Sequence, residues 1–142
     1  MARPREFDMK TAVENAMNAF WTHGYNGTSL SELLDAMQIT RGSLYKAFGS
    51  KKALFIQSLA LYDDLYIKPA EAMLQDGNTT GEIRLKNVFS GAVAAVENGD
   101  RRGCLLCNTS AGASWEDKDI AKMVGDQLNR LTQAFSVALD DT

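Results

Sequence analysis

Residues 28–52, TSLSELLDAMQITRGSLYKAFGSKK, leave this chain little freedom in how it folds. Ser29, Thr40 and Ser50 are all good helix N-caps, because a short side-chain oxygen accepts a backbone N–H that the first helical turn leaves unpaired. Ser29 also has Glu32 three residues on, the spacing of a capping box. Three caps this close together allow two short helices joined by a tight turn, followed at once by a third helix. Leu30, Leu33, Leu34 and Met37 give the first short helix a buried side, and Leu44 with Phe48 at i, i+4 does so for the second. Arg41, Ser43, Tyr45 and Lys46 then stay outside. No acid falls between positions 36 and 52, where Arg41, Lys46, Lys51 and Lys52 stand. A helix with small and polar residues at its tip and positive charge beside it suits a DNA groove.

That basic patch sits on an acidic chain of 142 residues with a formal net charge of −3. Residues 1–55 hold seven Lys/Arg against five Asp/Glu, and residues 56–142 hold eight against thirteen. The asymmetry points to a front half that binds a polyanion and a back half with another task. Hydrophobic residues at 45% and charged residues at 23% are ordinary for a folded domain and exclude a disordered chain. No apolar run approaches the roughly 18 to 20 residues that span a bilayer, so no membrane partner is expected. MARPREFDMK is basic but has no apolar stretch behind it, so it does not read as a secretory signal. Two cysteines make no disulfide framework. The expected location is cytoplasmic.

Helical periodicity dominates the rest, and no alternating run is long enough for a strand. The first helix is expected from about Phe7 to His23, with Val13, Ala16, Met17, Phe20 and Trp21 on one face and Gly24 ending it. The helix from Lys51 carries Leu54, Phe55, Ser58, Leu59, Tyr62 and Leu65 in register. Pro69 is expected to end or kink it, since proline cannot donate to the ladder. A short helix over 69–75, a turn at 76–81, an amphipathic helix over 83–96 and a buried small-residue helix over 103–113 follow. Ser114 with Asp117 caps a last helix striped by Ile120, Val124, Leu128, Leu131, Phe135 and Leu139. The fold class is all-α, with seven or eight helices.

Residues 7–55 resemble the N-terminal DNA-binding domain of the TetR family of bacterial transcriptional regulators. AFWTHGYNGTSLSELLDAM and ITRGSLYKAFGSKKALF carry the resemblance. It implies a three-helix helix-turn-helix domain over 1–50 and a helical ligand and dimerisation domain over 51–142, with helix 51–67 connecting them. The implied partners are double-stranded operator DNA, an unidentified small-molecule effector and a second copy of the chain. A palindromic operator would be bound by the homodimer and released on effector binding. Carried over, Thr28 and Ser29 would hold phosphates at the start of the second helix. Thr40, Arg41, Gly42, Ser43, Tyr45 and Lys46 would face the groove, and Lys51 would grip a phosphate at the start of the fourth helix. Arg3 and Arg5 would form a minor-groove arm. The family pattern continues past Thr142 with a dimer-forming helix pair, so either the regulatory domain is truncated or the chain dimerises by another surface.

RRGCLLCNTSAGAS resembles one subgroup with Gly-Cys-Leu before an alanine-rich helix. Cys104 and Cys107 at i, i+3 share one helical face. They read as small buried hydrophobes, as a redox or electrophile sensor whose thiol pKa is lowered by Arg101 and Arg102, or as two ligands of a metal site. Two sulfurs are too few for a metal, and none is expected. Tyr62, Tyr66, Phe89, Cys104, Cys107, Trp115 and Phe135, with Met73 and Met123, are the candidate effector-binding residues. An enzyme is not expected: His23 is the only histidine, and no phosphate loop, metal cluster or nucleophile elbow is present. No cofactor is expected either. Two alternatives stay open: a thiol-responsive repressor using Cys104 and Cys107, and a helical protein–protein adaptor that does not bind DNA.

Overall fold

Gly24 ends the first helix, α1 (Arg5–His23), by adopting φ +80°, the left-handed region where a Cβ is penalised. The computed structural model describes residues 5–142, with the side chains of 5–8 and 113 outside the description, so Arg3 and the Arg5 side chain of the expected arm lie outside it. Beyond Gly24 come α2 (Leu30–Met37), α3 (Arg41–Phe48) and α4 (Lys51–Tyr62), capped by Ser29, Thr40 and Ser50 as their chemistry requires. The capping box is complete: Glu32 N–H donates to Ser29 Oγ at 3.0 Å, and Ser29 N–H to a Glu32 carboxylate oxygen at 3.2 Å. Gln38 turns α2 into α3 in the left-handed conformation at φ 57°.

Pro69 neither ends the fourth helix nor breaks it. The chain stays helical through a π turn at 63–67 and on into α5 (Lys68–Leu74), with Pro69 in the first turn. The turn widens before the proline, and Lys68 N–H reaches Asp63 O five residues back. This spares the chain the clash that proline makes with the carbonyl four residues before it in a regular helix. The widened turn also changes which residue faces inward. Leu65, expected in the core, is exposed, and Ile67 is buried in its place. Arg130 fixes the turn from the opposite helix, pairing with Asp63 at 2.6 Å and Glu71 at 2.9 Å.

α6 (Gly81–Glu97), α7 (Leu105–Ala111), a 3₁₀ turn (Ala113–Glu116) and α8 (Lys118–Asp140) complete the order. No strand occurs among the described residues. The cap of α8 is Asp117 alone, whose carboxylate accepts from Asp119 and Ile120 N–H; Ser114 belongs to the preceding turn. The main core joins α1, α2, α3, α4, α7 and the first half of α8, with Phe20, Leu33, Leu44, Leu54, Phe55, Leu106 and Ile120 fully covered. A smaller core of Leu74, Ala134 and Ala138 ties α5 and α6 to the second half of α8. There Gly81 lies so close to α8 that an added Cβ would meet Ala138 O at 1.8 Å. Arg84, 2% exposed, bonds Leu74 O at 2.7 Å and pairs with Asp141. The alanines are what let these helices approach, so Leu139 of the expected stripe is exposed.

Candidate nucleic-acid interface and effector cavity

α3 is divided by burial into two faces. Leu44 and Phe48 are sunk in the core, while Thr40, Arg41, Gly42, Ser43, Tyr45 and Lys46 are all exposed. Its first turn carries no acid. Thr40 Oγ1 accepts Ser43 N–H at 3.1 Å and lies 3.0 Å from Ser43 Oγ, which pins both hydroxyls at the helix tip. At Gly42 an added Cβ would meet nothing within 4 Å, so the fold leaves open space there. A second surface can therefore approach the backbone closely at this point.

The flanking helix N-termini differ. Thr28 is fully buried and donates to Gly24 O, so its hydroxyl is not open to a phosphate; the expected contact there is corrected to a structural role. Ser29 is exposed, but the Glu32 carboxylate shares its cap and opposes an incoming anion. α4 has no acid in its first turn. Its two lysines have separate fates. Lys52 pairs with Asp119 at 2.7 Å and Asp117 at 3.0 Å on α8, which raises its pKa, chiefly through the Asp119 hydrogen bond. Lys51 Nζ stands 4.7 Å above the Tyr25 ring, and partial burial lowers its pKa. The patch that reads as four cations in sequence thus leaves three without an acid partner among the described residues.

The candidate effector residues do not all meet. Tyr62, Tyr66, Met73 and Cys104 line one cavity of about 630 Å³ between α4, α5, α6 and the loop before α7. Phe89 is exposed on α6, 6.0 Å from Phe135, and Trp115 is exposed on the 3₁₀ turn. Cys107 is exposed on α7. None of these four lines the cavity. Met123 faces a separate shallow groove beside Lys52 and Asp119. The cavity also takes in a residue that sequence reasoning missed: Trp21 of α1, edge-on to Tyr62 at 5.1 Å and to Tyr66 at 5.2 Å. Its indole N–H donates to Gly103 O at 3.2 Å. Nothing in the sequence sets Trp21 apart from the α1 core residues around it.

The cysteines are not a buried pair. Cys104 is half-buried and Cys107 is exposed. Cys104 is the N-cap of α7, in extended backbone, so the two do not share a helical face as expected; their thiols still lie close enough to interact, and burial followed by the Cys104 thiol pushes the Cys107 thiol up rather than down. Arg102 is engaged elsewhere, on Asp100 at 3.0 Å and Asn18 at 2.9 Å, so the expected arginine activation of a thiol does not form at Cys107. Burial, then Cys104, raises the Tyr62 phenol, whose oxygen accepts Leu105 N–H at 3.3 Å. Among the described residues no cluster of three or more His, Cys, Asp or Glu is placed to hold a metal. No helix there is long and apolar enough to cross a membrane.

A short, capped helix with exposed basic residues, packed on α1, α2 and α4 through Leu44 and Phe48, is the architecture of a helix-turn-helix protein. Comparison with known proteins agrees. The family model for bacterial regulatory proteins, tetR family, matches residues 12–57. The HTH-type transcriptional regulator YezE of Bacillus subtilis is 30% identical over 138 residues, covering 95% of this chain and 70% of that protein. The HTH-type transcriptional repressor ComR of Escherichia coli is 33% identical over 120 residues, 84% of this chain and 57% of its own length. Among solved structures, the TetR family transcriptional regulator CifR in complex with a 26-bp double-strand operator superposes with a TM-score of 0.79 at 31% identity, over 98% of this chain and 75% of that one. This chain belongs to the TetR family of bacterial transcriptional regulators. It is a DNA-binding regulator, and it spans between about half and three-quarters of the length of these relatives.

Proposed function

We propose that the chain is a repressor whose α3 enters the major groove of a palindromic operator, one helix from each copy of a homodimer. The observation that carries this reading is the α3 face itself, with Arg41, Ser43, Tyr45 and Lys46 exposed around the open backbone at Gly42. In it, Arg41 and Lys46 reach base edges, Tyr45 takes a phosphate or a thymine methyl, and Lys51 holds the backbone, while Ser29 stays with the Glu32 that closes its cap. Half-sites then lie one helical turn or a multiple of it apart. ComR carries the name of a transcriptional repressor, and CifR was solved on operator DNA, which supports the reading. The effector enters the cavity walled by Trp21, Tyr62 and Tyr66, where an apolar, ring-bearing molecule finds matching surface.

Footprinting on the chain's own promoter, followed by gel-shift titration of Arg41→Ala and Lys51→Ala, tests the interface. Arg41→Ala is expected to change sequence preference. Lys51→Ala is expected to weaken all sequences alike and to reduce the salt slope by about 1. Operator binding by both variants equal to that of the unaltered chain would overturn the assignment. A second reading, release of DNA on thiol oxidation, is favoured by the proximity of the Cys107 thiol to that of Cys104, which lines the cavity. Oxidant-induced release that Cys104→Ser abolishes would select it.

A further inference from the structure

Two adjacent lysines open α4, and only one of them has no acid partner. Lys52 is spent on the carboxylates of Asp117 and Asp119. Lys51 has no carboxylate partner among the described residues, yet its side chain is not loose. It lies over Tyr25, which belongs to the loop between α1 and α2. That ring is itself fixed, stacked on Phe20 at 5.9 Å and tilted against Phe55 at 4.7 Å, both fully buried. Tyr25 is only half-buried: its ring packs on these core residues and also carries the cation. The face of an aromatic ring attracts an ammonium without neutralising it, unlike a carboxylate. A lysine held this way loses less side-chain freedom when an anion arrives, and its full charge is still available.

We infer that Tyr25 is a positioning residue for DNA binding: its core-anchored ring holds the Lys51 ammonium at the N-terminus of α4, ready for a phosphate of duplex DNA. The inference rests on the reading above that Lys51 meets the DNA backbone. Lys52, meanwhile, fixes the same helix end to α8, so the neighbouring lysines divide the work, one anchoring the helix and the other presenting charge.

The test is a double-mutant cycle on the full chain, using a mixed-sequence DNA duplex as the probe and fluorescence anisotropy at several salt concentrations. Tyr25→Phe keeps the ring and is expected to bind like the unaltered chain. Tyr25→Leu is expected to weaken binding about two- to fivefold, the range of an exposed cation–π contact, and to do almost nothing once Lys51→Met is present. An equal loss in both backgrounds would make Tyr25 merely structural and overturn the inference alone. Lys51→Met with unchanged affinity and salt slope would overturn the phosphate reading and this inference with it. A measurement on the unaltered chain does not depend on any variant folding: the Lys51 ε-methylene protons should be shifted upfield by the Tyr25 ring current. Resonance at the ordinary lysine position would overturn the inference.

Discussion

Arg102 lies over Trp21, its guanidinium carbon 3.7 Å from the ring centroid, and so ties the loop before α7 to the first helix of the DNA-binding head. The same guanidinium grips Asp100 and Asn18. Arg102→Ala removes the stacking, the packing of the side-chain stem and the Asn18 bond together. We expect a loss of about 1–2 kcal/mol in urea unfolding, and a looser cavity wall.

Acid titration of stability follows from the contact of Arg102 with Asp100. Hydrogen bonding from Arg102 holds the Asp100 carboxyl below its ordinary value of 3.8. A carboxylate with a depressed folded pKa contributes stability that is complete above the unfolded value and is lost as pH falls through the folded one. Thermal melts should therefore show a stability decline below about pH 4 that is shallower in Arg102→Ala. Identical acid limbs in the two proteins would contradict the pairing.

Gly42→Ala separates folding from recognition. An added methyl meets nothing within 4 Å in the fold, so the melting temperature should hold or rise, by up to about 1 kcal/mol in stability terms. Operator affinity should fall about tenfold, because the methyl stands where the groove must approach. Loss of stability together with loss of binding would point to a packing role instead.

Gly81→Ala and Gly91→Ala form a matched pair within α6. At Gly81 the methyl would run into the Ala138 carbonyl, and at Gly91 it would meet nothing within 4 Å. Urea midpoints should show a cost of about 1–3 kcal/mol at Gly81 and none at Gly91.

Alkylation of Cys107 should be slow for an exposed thiol. Its pKa lies above the ordinary 9.0, and the thiolate is the nucleophile. Labelling rates followed by mass spectrometry are expected to climb past pH 9. A plateau near neutral pH would mean an activated thiol.

What was legible in the sequence was mostly local. Ser29, Thr40 and Ser50 cap their helices because the chemistry of a cap involves a few neighbouring residues, and Leu44 and Phe48 face inward because their spacing matches a helical turn. What was hidden depends on partners distant in the chain. Lys52 looks like part of a DNA-facing patch until α8 brings Asp117 and Asp119 against it. Trp21 looks like plain core until the 100–104 loop and α4 close a cavity on it. Thr28 resembles an exposed cap from its residue type, but the α1–α2 loop folds it inward onto Gly24 O. Phe89 and Trp115 have the composition of pocket residues, and the packing leaves both facing out.

The π turn at 63–67 amounts to a one-residue insertion that the fold has absorbed. Each residue of a regular helix advances about 100° around its axis, and the wide turn takes up the extra residue, so α5 keeps the phase that an unbroken helix would give it. Leu74 therefore still packs with Ala134 and Ala138, and Glu71 still reaches Arg130. Deleting one position there would leave that phase in place but bring Pro69 back against the carbonyl four residues before it. The extra residue is thus the room the helix needs for its proline, and a homologue without proline at this position could dispense with it.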